Sequence, residues 1–173
     1  AGDIDNDGFL DLLITVWGGQ MTVFQNNGDG TFSDISISSG LGVSTRYYWQ
    51  PMFHDFNRDS RPDIMSNVDF GPNEFWKNDG GSFFTEIGRQ IGGAPDNSEM
   101  GLVLGDIDND GDLDAYSTNI TRMFQGRQEH NVLLRNDSEA GFLVFSEVAE
   151  LYGVAFSGWD WGTTFLDMNN DGW

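Results

Sequence analysis

Residues 106–114 read DIDNDGDLD, and this acidic stretch is one occurrence of the pattern D-x-(D/N)-x-D-(G/S)-x-x-D. Four occurrences begin at Asp3, Asp55, Asp106 and Asp167, the last running only as far as Trp173. Successive starts lie 52, 51 and 61 residues apart. A period of this length is typical of one four-stranded blade per repeat rather than of one helical hairpin. The pattern therefore predicts a repetitive, all-β protein.

The first and third loops carry complete sets of oxygen ligands. Positions 1, 3, 5 and 9 are Asp3, Asp5, Asp7 and Asp11 in the first loop, and Asp106, Asp108, Asp110 and Asp114 in the third. Glycine at position 6 permits a sharp turn with positive φ. Phe9 and Asp112 at position 7 offer a backbone carbonyl. Close carboxylates repel one another without a cation, and a flexible all-oxygen set suits Ca²⁺. We expect calcium in both loops.

The second and fourth loops are poorer versions of the same site. In the second, the expected ligands are the side chains of Asp55, Asn57, Asp59 and Asp63 and the carbonyl of Arg61. Ser60 replaces the turn glycine, and Arg58 and Arg61 bring positive charge, so weaker calcium binding is predicted. The fourth offers Asp167, Asn169, Asp171 and the carbonyl of Trp173, but no ninth position.

Other families with aspartate-rich loops fit the sequence less well. An EF-hand needs a glutamate at position 12, where this chain has Ile14, Ser66 and Ser117. Dockerins and thrombospondin-type calcium repeats have shorter periods, and the latter need cysteines, of which this chain has none. Plain solvated acidic turns do not require the same positions to recur. Calcium binding is therefore the favoured interpretation.

Composition agrees with a folded, metal-dependent domain. The formal net charge is −20 over 173 residues, with 28 acidic and eight basic side chains. Such a balance makes nucleic acid an improbable partner and couples folding to cations. No apolar run approaches the roughly 20 residues of a membrane helix. Calcium sites of moderate affinity fill outside cells, so a secreted, extracellular, periplasmic or cell-surface location is expected.

The segments between the loops read as short strands separated by glycine-rich turns. In each repeat, three strands follow the loop and a fourth precedes the next loop, at 51–56, 101–107 and 162–168. The calcium loop then joins the first strand of a blade to the second. This gives repeats at 1–50, 51–100 and 101–161, and the start of a fourth at 162–173.

The loops, the phrase FQNNGDGTF at 24–32 and the run GVAFSGWDWG at 153–162 resemble FG-GAP or VCBS repeats. More narrowly, they are similar to the repeat region of ASPIC/UnbV proteins. The resemblance covers nearly the whole chain, and Ser60, the irregular hairpin at 136–141 and the lack of an ASPIC-type C-terminal segment depart from it. It implies a β-propeller of four-stranded antiparallel blades, commonly seven, related to the head of integrin α subunits, with calcium in the blade hairpins.

Three repeats are fewer than the four to eight blades of a closed propeller. We therefore expect this chain to be about three blades of a larger propeller. If it is complete instead, its open edges would pair with other copies of itself.

Several other residues have two interpretations. Tyr47, Tyr48, Trp49, Trp159 and Trp161 are expected to pack between blades, with stacking on sugar rings as the alternative. His54 and His130 are expected to make ordinary hydrogen bonds rather than act in catalysis. Asn119 and Asn136 begin glycosylation sequons, so the chain is a candidate glycoprotein.

The leading functional hypothesis is a calcium-stabilised extracellular propeller that binds a protein or glycan ligand, as in cell adhesion. The chain has no cysteine nucleophile and no G-x-S-x-G motif, and calcium accounts for its carboxylate clusters. One alternative is the propeller of a secreted carbohydrate-active enzyme resembling polysaccharide lyases, with His54, residues 47–49 and Trp159 lining a pocket. Another is a structural subunit of an extracellular assembly.

Overall fold

The computed structural model describes residues 1–120, 123–124, 127–139 and 142–169. The first part of the chain forms β1 (Leu12–Ile14), β2 (Trp17–Gly19), β3 (Thr22–Asn26), β4 (Phe32–Asp34), a single 3-10 turn (Leu41–Val43) and β5 (Arg46–His54). The middle forms β6 (Asp63–Asp69), β7 (Gly71–Pro72), β8 (Glu74–Gly80), β9 (Phe83–Glu86) and β10 (Asp96–Asn97). The last part forms β11 (Glu99–Gly105), β12 (Asp114–Asn119), β13 (Met123–Phe124), β14 (Arg127–Gln128), β15 (Val132–Asn136), β16 (Phe145–Glu147) and helix α1 (Ala149–Tyr152).

Blade 2 is the most complete sheet, with hydrogen-bonded order β2-β5-β6-β8-β9. Its last four strands form the predicted antiparallel blade, and the second acidic loop joins β5 to β6, as expected. Strand β2 was not predicted to belong here. It crosses from the first repeat and pairs with β5, placing Trp17 opposite Tyr47.

Blades 1 and 3 flank blade 2. Blade 3 has the order β11-β12-β15-β16, with the third acidic loop between β11 and β12. Blade 1 has the order β1-β3-β4, and a bridge between Gly2 and Asp11 closes its loop. Two short pairs, β7 with β10 and β13 with β14, lie outside the blades.

The blades pack face to face through alternating side chains. In blade 2, Ile64 and Trp76 enter one core cluster together with Met21 and Val23 of blade 1. The neighbouring residues Met65 and Phe75 point to the opposite face, where they pack with blade 3. All seven residues of β6 are buried as a result. Each fully buried apolar side chain stabilises the fold by about 2 kcal/mol.

These sheets form a partial β-propeller, which confirms the predicted fold class. A third cluster, containing Leu133, Val148 and Ala155, lies on the other face of blade 3. Among the described residues, no helix is both long and apolar enough to span a bilayer.

The predicted strand at 162–168 is wrong, because the structure has no strand there. A strand requires a hydrogen-bonded neighbour, and no described segment forms a ladder with these residues. Just before this segment, a bridge joins Trp159, at the end of the third repeat, to Ile120. Its hydrogen bond from the Asp160 N–H to the Asn119 carbonyl, at 3.3 Å, attaches it to blade 3.

Candidate metal centres

The three described loops share a backbone with two left-handed positions. Position 6 has φ of 91° at Gly8, 68° at Ser60 and 89° at Gly111, as the glycine pattern predicts. Position 4 is also left-handed, with φ of 60° at Asn6, 57° at Arg58 and 60° at Asn109. This second left-handed position was not predicted, although asparagine at two of the three sites is a signal for it in the sequence.

The aspartate at position 1 closes each turn by accepting the N–H of position 6. The distances are 2.9 Å from Gly8 to Asp3, 2.7 Å from Ser60 to Asp55 and 3.0 Å from Gly111 to Asp106. One oxygen of each first carboxylate is thus engaged with the backbone. The other oxygen of Asp3 and of Asp55 accepts the N–H of position 5, at 3.1 Å and 2.9 Å, whereas Oδ1 of Asp106 has no partner among the described residues.

The ninth aspartate ties each loop to a neighbouring strand of its own blade. Asp114 is buried, and its Oδ2 accepts the Ile107 N–H at 2.7 Å, while Oδ1 accepts the Asn136 N–H at 2.8 Å. Asp11 makes the equivalent pair with Ile4 at 2.9 Å and Asn26 at 2.8 Å. Asp63 accepts the Asn78 N–H at 2.9 Å. The ninth aspartates therefore hold each loop to its blade by hydrogen bonds, an arrangement that we call the bracket. They are candidate metal ligands as well.

In blades 2 and 3, a hairpin asparagine next to the bracket also forms a hydrogen bond to the acidic loop of the preceding blade. Asn78 of blade 2 donates its side-chain amide to the Ile4 carbonyl of loop 1 at 2.8 Å. Asn136 of blade 3 donates to the Phe56 carbonyl of loop 2 at 3.5 Å. A signal existed in the sequence, because Asn26 and Asn78 both lie 15 residues after the ninth aspartate of their repeats.

Two groups of three carboxylates converge closely enough to hold a metal ion. In loop 1 they are Asp3, Asp5 and Asp11, and in loop 3 they are Asp106, Asp108 and Asp114, with ligand oxygens within 4.8 Å of one another. In loop 3, Oδ1 of Asp106 and Oδ1 of Asp108 are buried without a hydrogen-bond partner among the described residues. Unpaired buried carboxylate oxygens are costly, and a cation among them removes that cost. The residues therefore fit a metal ion.

The aspartate at position 5 lies outside these groups. Oδ1 of Asp7 accepts the Phe9 N–H at 2.8 Å, and Oδ1 of Asp110 accepts the Asp112 N–H at 2.8 Å. Both carboxylates thus stabilise the turn at position 7. Their role as ligands, and that of the Phe9, Arg61 and Asp112 carbonyls, stays a prediction.

Loop 2 has the same backbone but supplies its own positive charge. The Arg61 guanidinium contacts Oδ2 of Asp59 at 2.6 Å and the Asn78 carbonyl at 3.1 Å. Asn57 donates to the same Asp59 oxygen at 3.1 Å. At the three positions whose carboxylates converge in the other two loops, loop 2 has only two carboxylates, Asp55 and Asp63, because Asn57 replaces the third. Burial, reinforced by the charges of Asp59 and Asp55, raises the pKa of Asp63 to about 7.

The three loops touch in a row along one rim of the propeller. The Asn6 side chain of loop 1 donates to the Ser60 carbonyl of loop 2 at 2.8 Å. Arg58 of loop 2 forms an ion pair with Asp112 of loop 3. Both contacts use position 4 of the donating loop, whose left-handed backbone points the side chain towards the next blade.

Comparison with known proteins agrees with this geometry. The FG-GAP-like repeat matches residues 3–66 and again residues 55–117, and each match starts at the first aspartate of a loop. This chain belongs to the FG-GAP-like repeat family. It is 32% identical over 141 residues to cartilage acidic protein 1 of Xenopus tropicalis, covering 75% of this chain and 22% of that protein. It is 28% identical over 123 residues to human cartilage acidic protein 1, covering 69% and 18%. The chain thus spans about a fifth of these relatives.

The fourth FG-GAP loop is only partly described. Asp167 and Asn169 both interact with other groups in the structure. Asp171 and Trp173 lie outside the described residues. Their assignment as calcium ligands stays a prediction.

Both histidines of this FG-GAP chain contact a phenylalanine ring. Burial lowers the pKa of His54 despite the nearby charges of Asp55 and Asp112, and its ring centroid lies 5.0 Å from that of Phe56. Nδ1 of His130 lies 2.7 Å from the Asn131 carbonyl.

The aromatic residues divide between packing and exposure. Tyr48 is buried, and its hydroxyl donates to Glu74 at 2.8 Å, as expected for packing between blades. Trp49 stacks edge-on with Trp161, with centroids 6.1 Å apart. Tyr47 is exposed in a blade with a neighbour on each face, so the packing prediction does not hold for it. Trp159 and Trp161 lie beyond the last described blade, and packing between blades stays a prediction for them.

Both sequon asparagines are enclosed by the FG-GAP blades, which corrects the glycosylation prediction. Asn119 is 0% exposed and donates its amide to the His130 carbonyl at 3.0 Å. Asn136 is 2% exposed, with its amide bonded between blades. A glycan at either position would displace a core hydrogen bond. Burial of both asparagines therefore disfavours glycosylation of the folded chain.

Proposed function

We propose that this FG-GAP segment is a calcium-stabilised propeller module that mediates extracellular interactions. The observation that carries the proposal is the pair of converging carboxylate groups, one of which contains two buried oxygens without partners among the described residues. Oxygen-only ligands in flexible loops match the preference of Ca²⁺. The ion would act structurally, by supplying positive charge where acidic side chains meet.

In this proposal, loops 1 and 3 are the stronger sites. Asp3, Asp5 and Asp11 would hold one ion, and Asp106, Asp108 and Asp114 the other, helped by position 5 and the carbonyls of Phe9 and Asp112. Loop 2 would bind weakly, because Arg61 already neutralises Asp59 at 2.6 Å. The arginine contact also restrains that carboxylate from turning towards an ion.

Location and partner class follow from the same chemistry. Calcium sites of moderate affinity fill at extracellular calcium concentrations. Two relatives carry the name cartilage acidic protein 1, and this chain is also strongly acidic, with a net charge of −20. An extracellular protein or glycan partner and a role in adhesion fit this setting.

Chelation tests the proposal. Thermal unfolding in millimolar calcium and after addition of excess EGTA should differ clearly, because an ion bound a thousandfold above its Kd stabilises by about 4 kcal/mol. Calorimetric titration should find two strong sites. An unchanged melting temperature with EGTA, or equal stabilisation by magnesium, would contradict calcium specificity.

Matched variants locate the ions. Asp108→Asn in loop 3 should remove one strong site, since it replaces a carboxylate whose Oδ1 lies buried without a partner among the described residues. Asp59→Asn in loop 2 changes the same kind of residue in the same motif and should leave the number of strong sites at two. Equal effects of the two variants would show that the loops do not differ as proposed.

A further inference from the structure

Phe70 occupies a backbone conformation that its side chain makes unfavourable. It lies in the turn between β6 and β7 with φ of 59°, in the left-handed region that bulky residues rarely adopt. Glycine or asparagine would make this turn at lower energetic cost. The ring is nevertheless 59% exposed, so core packing does not account for it. Strained residues of this kind cluster at functional sites.

Two further exposed rings extend the surface from Phe70, with Tyr47 in contact with Phe70 and Trp17 in contact with Tyr47. The Tyr47 centroid lies 5.8 Å from that of Phe70 at an interplanar angle of 88°, and 4.7 Å from that of Trp17 at 55°. Tyr47 is 42% exposed and Trp17 is 54% exposed. We call these three residues the aromatic cup. Their rings form an angled surface rather than a flat one.

The aromatic cup lies on blade 2, which packs against a neighbouring blade on each face. Tyr47 and Phe70 are therefore not exposed for want of a neighbouring blade. Strand β2 adds to the edge of this blade and places Trp17 opposite Tyr47. Strand β2, which was not predicted to belong to this blade, therefore contributes the Trp17 ring to the aromatic cup.

The charges around the aromatic cup favour an uncharged ligand. Asp69 is the cross-strand partner of Tyr47, is 5% exposed, and has an Oδ1 atom with no hydrogen-bond partner among the described residues. The nearby Arg46 guanidinium is directed to Glu74 at 3.4 Å. With a net charge of −20, the protein repels acidic polymers.

We propose that the aromatic cup binds an uncharged oligosaccharide. The C–H faces of sugar rings stack on aromatic rings, and an uncharged chain meets no repulsion from the acidic surface. Rings set at steep angles suit a single bent chain rather than a flat polysaccharide surface. This proposal names a ligand class for the interaction role proposed above. It rests on that proposed function in one respect, which is that the blades must be folded for the aromatic cup to form.

The test is calorimetric titration of the calcium-loaded protein with hexasaccharides. Cellohexaose, xylohexaose and mannohexaose are the uncharged probes, and hexagalacturonate is the acidic comparator of equal length. We expect at least one uncharged probe to bind and hexagalacturonate not to bind. Phe70→Gly should weaken binding by about tenfold or more, while its melting temperature stays the same or rises because the strain is relieved.

Two matched controls separate the ring from the backbone and from exposure alone. Ser82 has the same φ of 59°, so Ser82→Gly relieves similar strain without removing a ring. Phe32 is an exposed ring on the edge strand β4, 45% accessible, so Phe32→Ala removes an aromatic surface elsewhere. Both variants should bind as the unaltered protein does.

Every other pattern overturns the proposal. Absence of binding to all uncharged probes, preference for hexagalacturonate, or unchanged binding by Phe70→Gly would each refute the aromatic cup as a glycan site. A protein ligand lost with Phe70→Gly in the absence of glycan binding would refute the ligand class. Chelation melting is measured separately, so a failed calcium proposal is recognised independently of this one.

Discussion

Loops 2 and 3 have nearly the same backbone conformation, but they differ in the groups that surround their carboxylates. Both are left-handed at positions 4 and 6, and both close on a first aspartate and a buried ninth aspartate. Loop 3 leaves one oxygen of Asp106 and one of Asp108 buried without partners among the described residues, whereas loop 2 leaves one such oxygen, on Asp63, and places Arg61 on Asp59. The loop conformation is thus separable from the metal site that it supports. One repeat sequence can hold an ion while its neighbour holds an arginine.

The largest expected effect comes from removing the bracket that the loops share. Asp114→Ala should lower the free energy of unfolding by about 4 kcal/mol, because the N–H groups of Ile107 and Asn136 lose their acceptors at about 2 kcal/mol each. Urea unfolding at saturating calcium measures it. Asp110→Ala, at an exposed position of the same loop, should cost about 1 kcal/mol or less. A mild Asp114→Ala would mean that the bracket is not structural.

The next largest effect on stability is expected from substitutions that convert loop 2 into a site like loop 3. Asn57→Asp combined with Arg61→Ala supplies the missing carboxylate and frees Asp59 from its cation. A third strong calcium site should appear in calorimetric titration, stabilising the protein by about 2.7 kcal/mol at a hundredfold excess over its Kd. Arg58→Ala is the control, since it breaks the contact with Asp112 but adds no ligand. Two sites in the double variant would show that the backbone itself limits loop 2.

The dependence of the free energy of unfolding on pH does not come from the loop carboxylates alone, because Glu99, a buried carboxyl between blades 2 and 3, also titrates. Burial raises the pKa of Glu99 from the usual 4.5 to about 7, despite hydrogen bonds from Asn73, Ser117 and Asn97 and the charge of His130. The folded protein therefore holds this proton more tightly than the unfolded chain does. The stability from Glu99 is full below the unfolded pKa and is lost as the pH rises towards 7.

Glu99→Gln should remove that dependence. Relative to the unaltered protein, the variant should gain on the order of 2 kcal/mol between about pH 5 and pH 8. Thermal or urea unfolding at saturating calcium across this range measures the difference, in which the titration of the loop carboxylates cancels. A difference that stays constant with pH would place the titrating group elsewhere.

The smallest effect exchanges position 6 between the loops. Ser60→Gly should raise the free energy of unfolding by about 1 kcal/mol, because glycine has no Cβ to clash in the left-handed region, and Gly111→Ser should lower it by a similar amount. Denaturant unfolding of the two reciprocal variants at saturating calcium measures both. Changes of the same sign would show that position 6 is not controlled by backbone strain.

Features with a local sequence rule were predictable from the chain. The recurring aspartates predicted the loops, their glycines predicted positive φ, and the position of loops 2 and 3 between the first two strands of a blade is confirmed. Features that depend on distant residues were not. Strand β2 joins blade 2 through Trp17 and Tyr47, which no local pattern encodes. The failed strand at 162–168 shows the same limit, since pairing depends on a partner outside the pattern.

The contrast between Asp5 and Asp7 shows how the sites depended on conformation. The sequence gives both residues equal standing in the ligand set, but the left-handed turn at Asn6 separates them. Asp5 joins the converging group, whereas Asp7 accepts the Phe9 N–H. The arginine in loop 2 was visible as charge, but its contact with Asp59 required the folded geometry.

The hairpin asparagines impose an order of assembly on the growing polypeptide. Asn78 follows Ile4 by 74 residues, and Asn136 follows Phe56 by 80. At synthesis rates of roughly 5 to 20 residues per second, each acidic turn waits about 4 to 16 s for the amide that secures it. A nascent chain therefore always carries one unfinished turn at its growing end. The hydrogen bonds that secure the turns are therefore completed one blade behind synthesis, in the direction from amino to carboxyl terminus.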